Sequence, residues 1–173
     1  MKALRLFILT CVCIAVSVVA ASAAGKNDKA TDNFHYDIEL TGGQATSGRV
    51  LVKVWSYSKS ATVSTMIAGK NAVHGVLFKG VARDEEKRLP ALNPIVKDPD
   101  ALATHEDFFK LFFSDGGDYM KYVVFPSNGV PDPGNVIKMG KEYRIGLTVS
   151  VAKDELRRAM EAAGVVKRMD AGF

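Results

Sequence analysis

The sequence predicts an α+β fold, a two-layer sandwich in which about three helices cover one side of a mainly antiparallel sheet. Two observations lead to this class. Apolar residues at every second position mark strands over residues 34–40, 49–58 and 142–151, whereas apolar residues at helical spacing mark residues 62–74. The predicted order of elements along the chain is ββαβ, a long loop, and then αβ(β)βα.

The first two strands are predicted to form a hairpin. In residues 34–40, aromatic and aliphatic side chains alternate with a histidine and two carboxylates, which indicates a half-buried strand. A glycine-containing turn separates it from residues 49–58, where valines occupy one face and Trp55 and Tyr57 the other. Because this second strand is apolar on both faces, we expect it at the centre of the sheet.

Residues 62–74 are predicted to form the first helix. One apolar stripe consists of Val63, Met66, Ile67 and Val73, with Ala72 beside it. Gly75 fits the end of this helix, since glycine readily adopts the left-handed conformation that terminates many helices. A short strand is then expected over residues 76–81.

Residues 82–103 are predicted to be a long irregular loop. The segment contains three prolines and a run of five charged residues. Proline removes a backbone donor and restricts the residue before it, which disfavours both helix and strand. Such a long loop in a compact domain is often functional or disordered. We therefore expect either a tolerated surface insertion or a contact surface for a ligand.

The second half of the chain is predicted to supply a helix, two or three strands and a last helix. Thr104 is expected to cap the first of these helices. Its apolar face gathers Phe108, Phe109, Phe112 and Phe113. Strands are expected over residues 119–125, 136–139 and 142–151. Gly164 is expected to close the last helix.

Residues 1–24 have the layout of a secretory signal peptide. A short positive start precedes an uncharged apolar run, which ends in the small residues Ala21-Ser22-Ala23. We therefore expect export, a flexible leader over residues 25–33 and a single domain over residues 34–173. Cleavage would remove both cysteines, so no disulfide is expected in the mature chain.

The charge of the mature chain argues against a nucleic-acid partner, and its hydropathy argues against a transmembrane segment. Removing Lys2 and Arg5 leaves 21 of the 23 basic residues against 19 acidic ones, a net charge of +2, so no nucleic-acid partner is expected. No later apolar run approaches the length that crosses a bilayer, so no transmembrane segment is expected in the mature chain. The expected location is the periplasm or the outer membrane surface, or the medium after secretion.

Candidate binding residues come from three places in the sequence. Trp55 and Tyr57 could stack on a peptide or a sugar, and packing under a helix is the alternative interpretation. His74 ends the first predicted helix, where a capping or surface role is the alternative. Asp115 and Asp118 could offer carboxylates to calcium, and an ordinary turn explains the same residues.

No motif predicts catalysis, a cofactor or a metal site. The mature chain has no thiol, its serines lie in no Gly-x-Ser-x-Gly sequence, and its histidines lack the spacing of zinc ligands. A hydrolase would need histidine and aspartate side chains that converge only in the fold.

Residues 48–81, GRVLVKVWSYSKSATVSTMIAGKNAVHGVLFKGV, run from a strand through a helix containing small residues to a strand. This segment resembles the exported modules of LPP20-type lipoproteins and of the N-terminal domain of flagellar assembly protein T. The whole mature chain is similar to uncharacterised exported proteins of Bacteroidota, matched at His74-Gly75, Phe108-Phe109 and Gly164-Val165-Val166. The resemblance implies a non-catalytic envelope component and carries over no catalytic residue.

We therefore expect an exported, non-enzymatic module of the cell envelope that acts by binding another envelope protein. A periplasmic or secreted protein that binds a peptide or a glycan is the alternative. A hydrolase is the third hypothesis, and neither a cofactor nor a metal is expected.

Overall fold

The computed structural model describes residues 34–42 and 48–168. The predicted signal peptide, residues 1–24, and the predicted leader, residues 25–33, lie outside the described residues. Within the described part of the chain, no helix combines the length and the apolar character needed to cross a membrane. An antiparallel sheet with helices packed on it confirms the predicted α+β class.

The described residues form a five-stranded sheet in which every pairing is antiparallel. The strands are β1 (Tyr36–Leu40), β2 (Val50–Ser58), β3 (Val123–Val124), β4 (Val136–Met139) and β5 (Glu142–Val151). β2 lies between β1 and β5, as predicted for a strand that is apolar on both faces. β3 and β4 share the far side of β5, where β3 pairs with its C-terminal end and β4 with its N-terminal half.

The described helices lie on one side of this sheet. They are α1 (Thr65–His74), α2 (Ala101–Thr104), α3 (Glu106–Phe112) and α4 (Lys153–Ala162). Buried side chains from each of them belong to one core cluster together with Val52 and Val54 of β2. These valines are in register with Val149 and Leu147 of β5, which are also buried. We call this side of the sheet the inner face.

α1 approaches the inner face mainly through small residues. Ala68, Ala72 and Val73 are fully buried, whereas Met66 and Ile67 of the predicted stripe are 37% and 51% exposed. The close approach continues at Gly75, where a Cβ would come within 2.5 Å of a β1 side chain. The prediction is therefore confirmed for Val73 and Ala72 and wrong for Met66 and Ile67, because side-chain size as well as hydrophobicity decides which face can lie against the sheet.

The strand predicted over residues 76–81 is wrong. α1 does end at Gly75 as predicted, but this glycine has a φ of −61° and not the expected left-handed conformation. The chain continues from α1 into a π-helical turn, Gly75–Lys79, and leaves it at Gly80 with a φ of +65° and a ψ of −170°. Val81 forms only an isolated bridge with Leu92. A short apolar run such as this one does not distinguish a strand from a helical turn by its periodicity.

Residues 82–100 contain no helix or strand beyond two isolated bridges, in agreement with most of the loop predicted over residues 82–103. The last three residues of that predicted loop belong to α2. The segment is nevertheless attached to the π-helical turn. The amides of Ile95 and Val96 donate to the carbonyl oxygens of Val76 and Leu77, at 3.2 and 2.8 Å. The side chains of Ile95 and Val96 are 3% and 4% exposed. This part of the segment is therefore built into the core.

The helix predicted to begin at Thr104 consists of two short helices. α2 ends at Thr104, and His105 interrupts the helix with a φ of −118° and a ψ of 37° before α3 begins at Glu106. The predicted cap is therefore wrong, because Thr104 ends one helix and does not precede the next. The phenylalanines do gather as predicted, since Phe109, Phe112 and Phe113 are buried and Phe108 packs against them.

Most of the strand predicted over residues 119–125 is a 3-10 turn, Asp118–Tyr122, and only Val123–Val124 pairs with β5. The turn buries the ring of Tyr119 beside α1, where its hydroxyl donates to the carbonyl oxygen of Met66 at 3.3 Å. The strands predicted over residues 136–139 and 142–151 are confirmed.

Candidate functional site

The sheet has a second face, here called the outer face, that contributes nothing to the core cluster among the described residues. Its side chains alternate along each strand with those of the inner face. In register across β1, β2 and β5 it presents the rows Asp37–Trp55–Gly146 and Glu39–Lys53–Thr148, with Tyr57 opposite Arg144. Among the residues that the structure describes, no α-helix packs on this face, and Asn135, before β4, reaches it with its Oδ1 3.5 Å from Nζ of Lys53.

Two carboxylates of β1 hold the large side chains of the outer face in place. Asp37 accepts hydrogen bonds from the Tyr57 hydroxyl at 2.8 Å and from Nη2 of Arg144 at 3.3 Å. The hydrogen bond to Asp37 raises the pKa of Tyr57, so the phenol stays protonated and remains a donor. Glu39 accepts from Nε1 of Trp55 at 3.0 Å.

The indole of Trp55 lies at the centre of this arrangement and is half-buried. The guanidinium carbon of Arg144 is 4.2 Å from the centre of the Trp55 ring, which is a cation–π distance. The ring lies over Gly146, since a Cβ at that position would come within 2.9 Å of two indole carbons. His35 stacks on the ring of Tyr57 at 4.4 Å, which extends the aromatic surface.

Exposed apolar side chains border this cluster on the β4 side. Ile137 is in register with Arg144 and is 41% exposed, and Met139 is 53% exposed. Both lie on the outer face, because Arg144 and Glu142, their partners in β5, do. The outer face therefore combines a tryptophan, a tyrosine and an arginine with a hydrophobic border.

His74 lies on the opposite side of the sheet from Trp55 and Tyr57. It is 9% exposed, and its Nδ1 is 2.6 Å from the hydroxyl of Tyr36. The ring of Phe34 stacks on the imidazole at 3.7 Å. Burial, aided by the positive charge of Lys79, lowers the pKa of His74 to about 4. His74 is therefore a neutral, buried residue and not a cation that caps α1.

A cavity of about 570 Å³ opens beside His74. Phe78 of the π-helical turn, Val96 and Leu102 supply apolar walls, and Lys97 supplies a positive charge. A volume of this size is in the range of sites for small ligands. The cavity exists because residues 93–102 pack against the π-helical turn, a relation that sequence periodicity does not reveal.

Asp115 and Asp118 lie in the turn that follows α3. Asp115 is 3.5 Å from Nζ of Lys70, and Asp118 is 2.8 Å from Nζ of Lys121. Gly116, between them, has a φ of +73°, as a tight turn requires. Across residues 34–42 and 48–168, no group of three or more potential ligands is placed to hold a metal ion.

The five predicted site residues thus fall in three separate places: Trp55 and Tyr57 on the outer face, His74 on the other side of the sheet, and Asp115 and Asp118 in the turn after α3. Sequence reasoning missed Arg144, which the pairing of β2 with β5 brings to Tyr57. The alternation along β1 predicted that Asp37 and Glu39 share a polar face, but it did not predict that they lie beside Trp55. Comparison of the protein with family models, curated proteins and solved structures finds no match.

Proposed function

We propose that this protein is an exported, non-enzymatic module of the cell envelope that binds another envelope protein through its outer face. One observation carries the proposal: Trp55, Tyr57 and Arg144 lie together on the face of the sheet on which none of the described α-helices packs. These are the residue types that dominate the binding energy of protein interfaces.

The hydrogen bonds of the cluster favour tight association. Asp37 and Glu39 fix the orientations of Tyr57, Arg144 and Trp55 before any partner binds. Side chains that are already ordered lose less conformational entropy when an interface forms. The cluster is thus preorganised, which lowers the entropic cost of binding a partner of complementary shape.

The apolar border supports the same proposal. Ile137 and Met139 are exposed next to the cluster, and Val124 of β3 is 53% exposed on the same face. Apolar contacts around central hot-spot residues exclude water from them, which strengthens their polar interactions.

A glycan-binding function uses an aromatic ring with an accessible face. In this protein the Trp55 ring is in contact with the guanidinium of Arg144 and lies over Gly146. A sugar that stacked on the ring face in contact with Arg144 would have to displace Arg144 from its hydrogen bond with Asp37. The packing of Trp55 therefore favours a protein partner over a glycan.

A photo-crosslinking experiment tests the proposal. The exported protein carries the crosslinking amino acid either at Thr148, on the outer face, or at Arg158, which is exposed on α4. We expect a discrete adduct with one envelope protein from Thr148 and none from Arg158. Trp55→Ala should remove this adduct, whereas Leu111→Ala, at a site 74% exposed on α3, should not.

Two results would contradict the proposal. One is equal crosslinking from Thr148 and Arg158, and the other is an adduct that Trp55→Ala leaves unchanged. Circular dichroism of each variant checks that the fold is retained. Loss of the adduct on adding a soluble oligosaccharide would instead assign the face to a glycan.

A further inference from the structure

The cavity beside His74 is formed by two unusual features of the fold. One wall is the π-helical turn Gly75–Lys79, which contributes Phe78, and His74 precedes this turn. The other wall is the irregular segment that includes Val96, Lys97 and Leu102. π-helical turns occur frequently at functional sites. The cavity is on the helical side of the sheet and is independent of the outer face.

The walls of the cavity are suited to an apolar group. Phe78 and Leu102 are half-buried, so each presents part of its surface to the cavity. The ring of Phe78 lies 5.0 Å from that of His74 and 5.2 Å from that of Phe109, which fixes its position. An aromatic ring or a branched chain would contact these side chains without displacing them.

The polar groups of the cavity are suited to a carboxylate. Lys97 lines the cavity, is exposed, and forms no ion pair with any residue that the structure describes. Asp98 also lines the cavity, and its negatively charged carboxylate accepts the amide of Asp100 at 3.0 Å, so a ligand carboxylate would have to lie on the Lys97 side. His74 also lines the cavity, and its Nδ1 is 2.6 Å from the Tyr36 hydroxyl.

We propose that this cavity binds a carboxylate that is attached to an aromatic or branched apolar group. The apolar group contacts Phe78 and Leu102, and the carboxylate pairs with Lys97. Two sources supply this chemistry: a free small organic acid, and the C-terminal residue of a peptide. The site is distinct from the proposed protein-binding face and does not depend on it.

A titration followed by the backbone amide signals of the whole exported protein tests the proposal. Three probes are compared: 3-phenylpropionate, its neutral amide 3-phenylpropionamide, and N-acetylglycyl-phenylalanine with a free C-terminal carboxylate. We expect saturable shifts at the amides of Phe78, Val96 and Leu102 with at least one of the two acids. The neutral amide should bind about tenfold more weakly, because it lacks the charge that pairs with Lys97.

The relative affinities of the two acids identify the source. Tighter binding of the peptide assigns the site to a peptide C-terminus, and tighter binding of 3-phenylpropionate assigns it to a free acid. If neither acid gives saturable shifts at these amides, the proposal is overturned. Equal affinity for the acid and the neutral amide also overturns it, since the carboxylate would then make no contribution.

Substitutions separate the two parts of the site. Lys97→Met removes the charge at an exposed position and should weaken binding of the better acid about tenfold. The matched control is Lys141→Met, at an exposed position in the turn between β4 and β5, which should leave the affinity unchanged. Leu102→Trp should fill the cavity and abolish binding, and thermal unfolding confirms that each variant folds. Unchanged affinity in both Lys97→Met and Leu102→Trp would place the ligand elsewhere.

Discussion

The hydroxyl of Tyr36 lies 2.6 Å from Nδ1 of His74, and this hydrogen bond joins the edge strand β1 to the end of α1. Burial raises the pKa of Tyr36 and lowers that of His74, so burial favours the neutral form of both side chains. Protonation of His74 would place a charge inside the core. The contact between β1 and α1 is therefore built around a buried, neutral pair.

The first prediction is that the protein loses stability as the pH falls from about 6.5 to about 4, the ordinary and the native pKa of His74. In this range the unfolded chain binds a proton at His74 and the native protein does not. The free energy of unfolding should fall by about 3 kcal/mol over this range, with no further loss from His74 below its native pKa. Denaturant unfolding at a series of pH values measures it, and the imidazole proton signals of His74 report its pKa directly.

Two variants isolate the contribution of His74. His74→Phe should remove the pH dependence of stability that arises at this residue. His35→Phe, at an exposed position on the outer face, should retain it. A pH dependence that is the same in the protein and in His74→Phe would show that other groups cause it.

The second prediction concerns Gly80, where the chain leaves the π-helical turn. Its φ of +65° and ψ of −170° fall in a region that is essentially restricted to glycine, and a Cβ would lie 2.4 Å from the carbonyl oxygen of Leu92. Gly80→Ala should lower the free energy of unfolding by about 2 kcal/mol or more. Gly140 has a φ of +62° but open space around it, so Gly140→Ala should cost only about 1 kcal/mol.

If Gly80→Ala and Gly140→Ala lowered the free energy of unfolding equally, backbone conformation alone would explain both effects. A further control is Gly134→Ala, since that glycine has no positive φ and no atom within 4 Å of the Cβ position. Its effect should stay within about 0.5 kcal/mol.

A long and strictly periodic pattern predicted β5 correctly, because its ten residues alternate between the two faces over its whole length. Residues 76–81 failed because their short apolar run fits a strand and a helical turn equally well. There the tertiary structure decides, since the carbonyl oxygens of the π-helical turn accept the amides of Ile95 and Val96. No local pattern contains that information.

The candidate site shows the same limit. Alternation put Trp55 and Tyr57 on one face of β2, and both lie on the outer face. The third member, Arg144, lies 87 positions further along the chain than Tyr57 in the printed sequence and reaches it only through the register of β2 and β5. The cavity beside His74 is likewise formed by two separate stretches of the chain, residues 74–78 and residues 93–102. Their proximity follows from packing and not from spacing.

The third prediction concerns the irregular segment. Because Ile95 is 3% exposed and its amide is bonded to the π-helical turn, Ile95→Ala should lower the free energy of unfolding by about 2–5 kcal/mol. Replacing residues 91–98 with glycines should prevent stable folding, since Leu92 and Val96 would be lost as well. Lys97→Ala, two residues from Ile95 and exposed, should change stability by less than about 0.5 kcal/mol. A folded protein with unchanged thermal stability after the glycine replacement would show that the segment is a surface insertion.

The last prediction uses Trp55, the single tryptophan of the chain, as a reporter of the outer face. A methyl group at Gly146 would lie 2.9 Å from ring carbons of the indole, so Gly146→Ala must displace the ring. Displacement breaks the bond from Nε1 to Glu39 and the contact with Arg144, and it moves the indole toward water. We expect a red shift of the fluorescence emission and a loss of about 1–3 kcal/mol in stability. Gly134→Ala should leave the emission unchanged. If Trp55 is at the centre of the binding surface, Gly146→Ala should also reduce crosslinking from Thr148. An unaltered emission spectrum would show that the ring does not lie over Gly146.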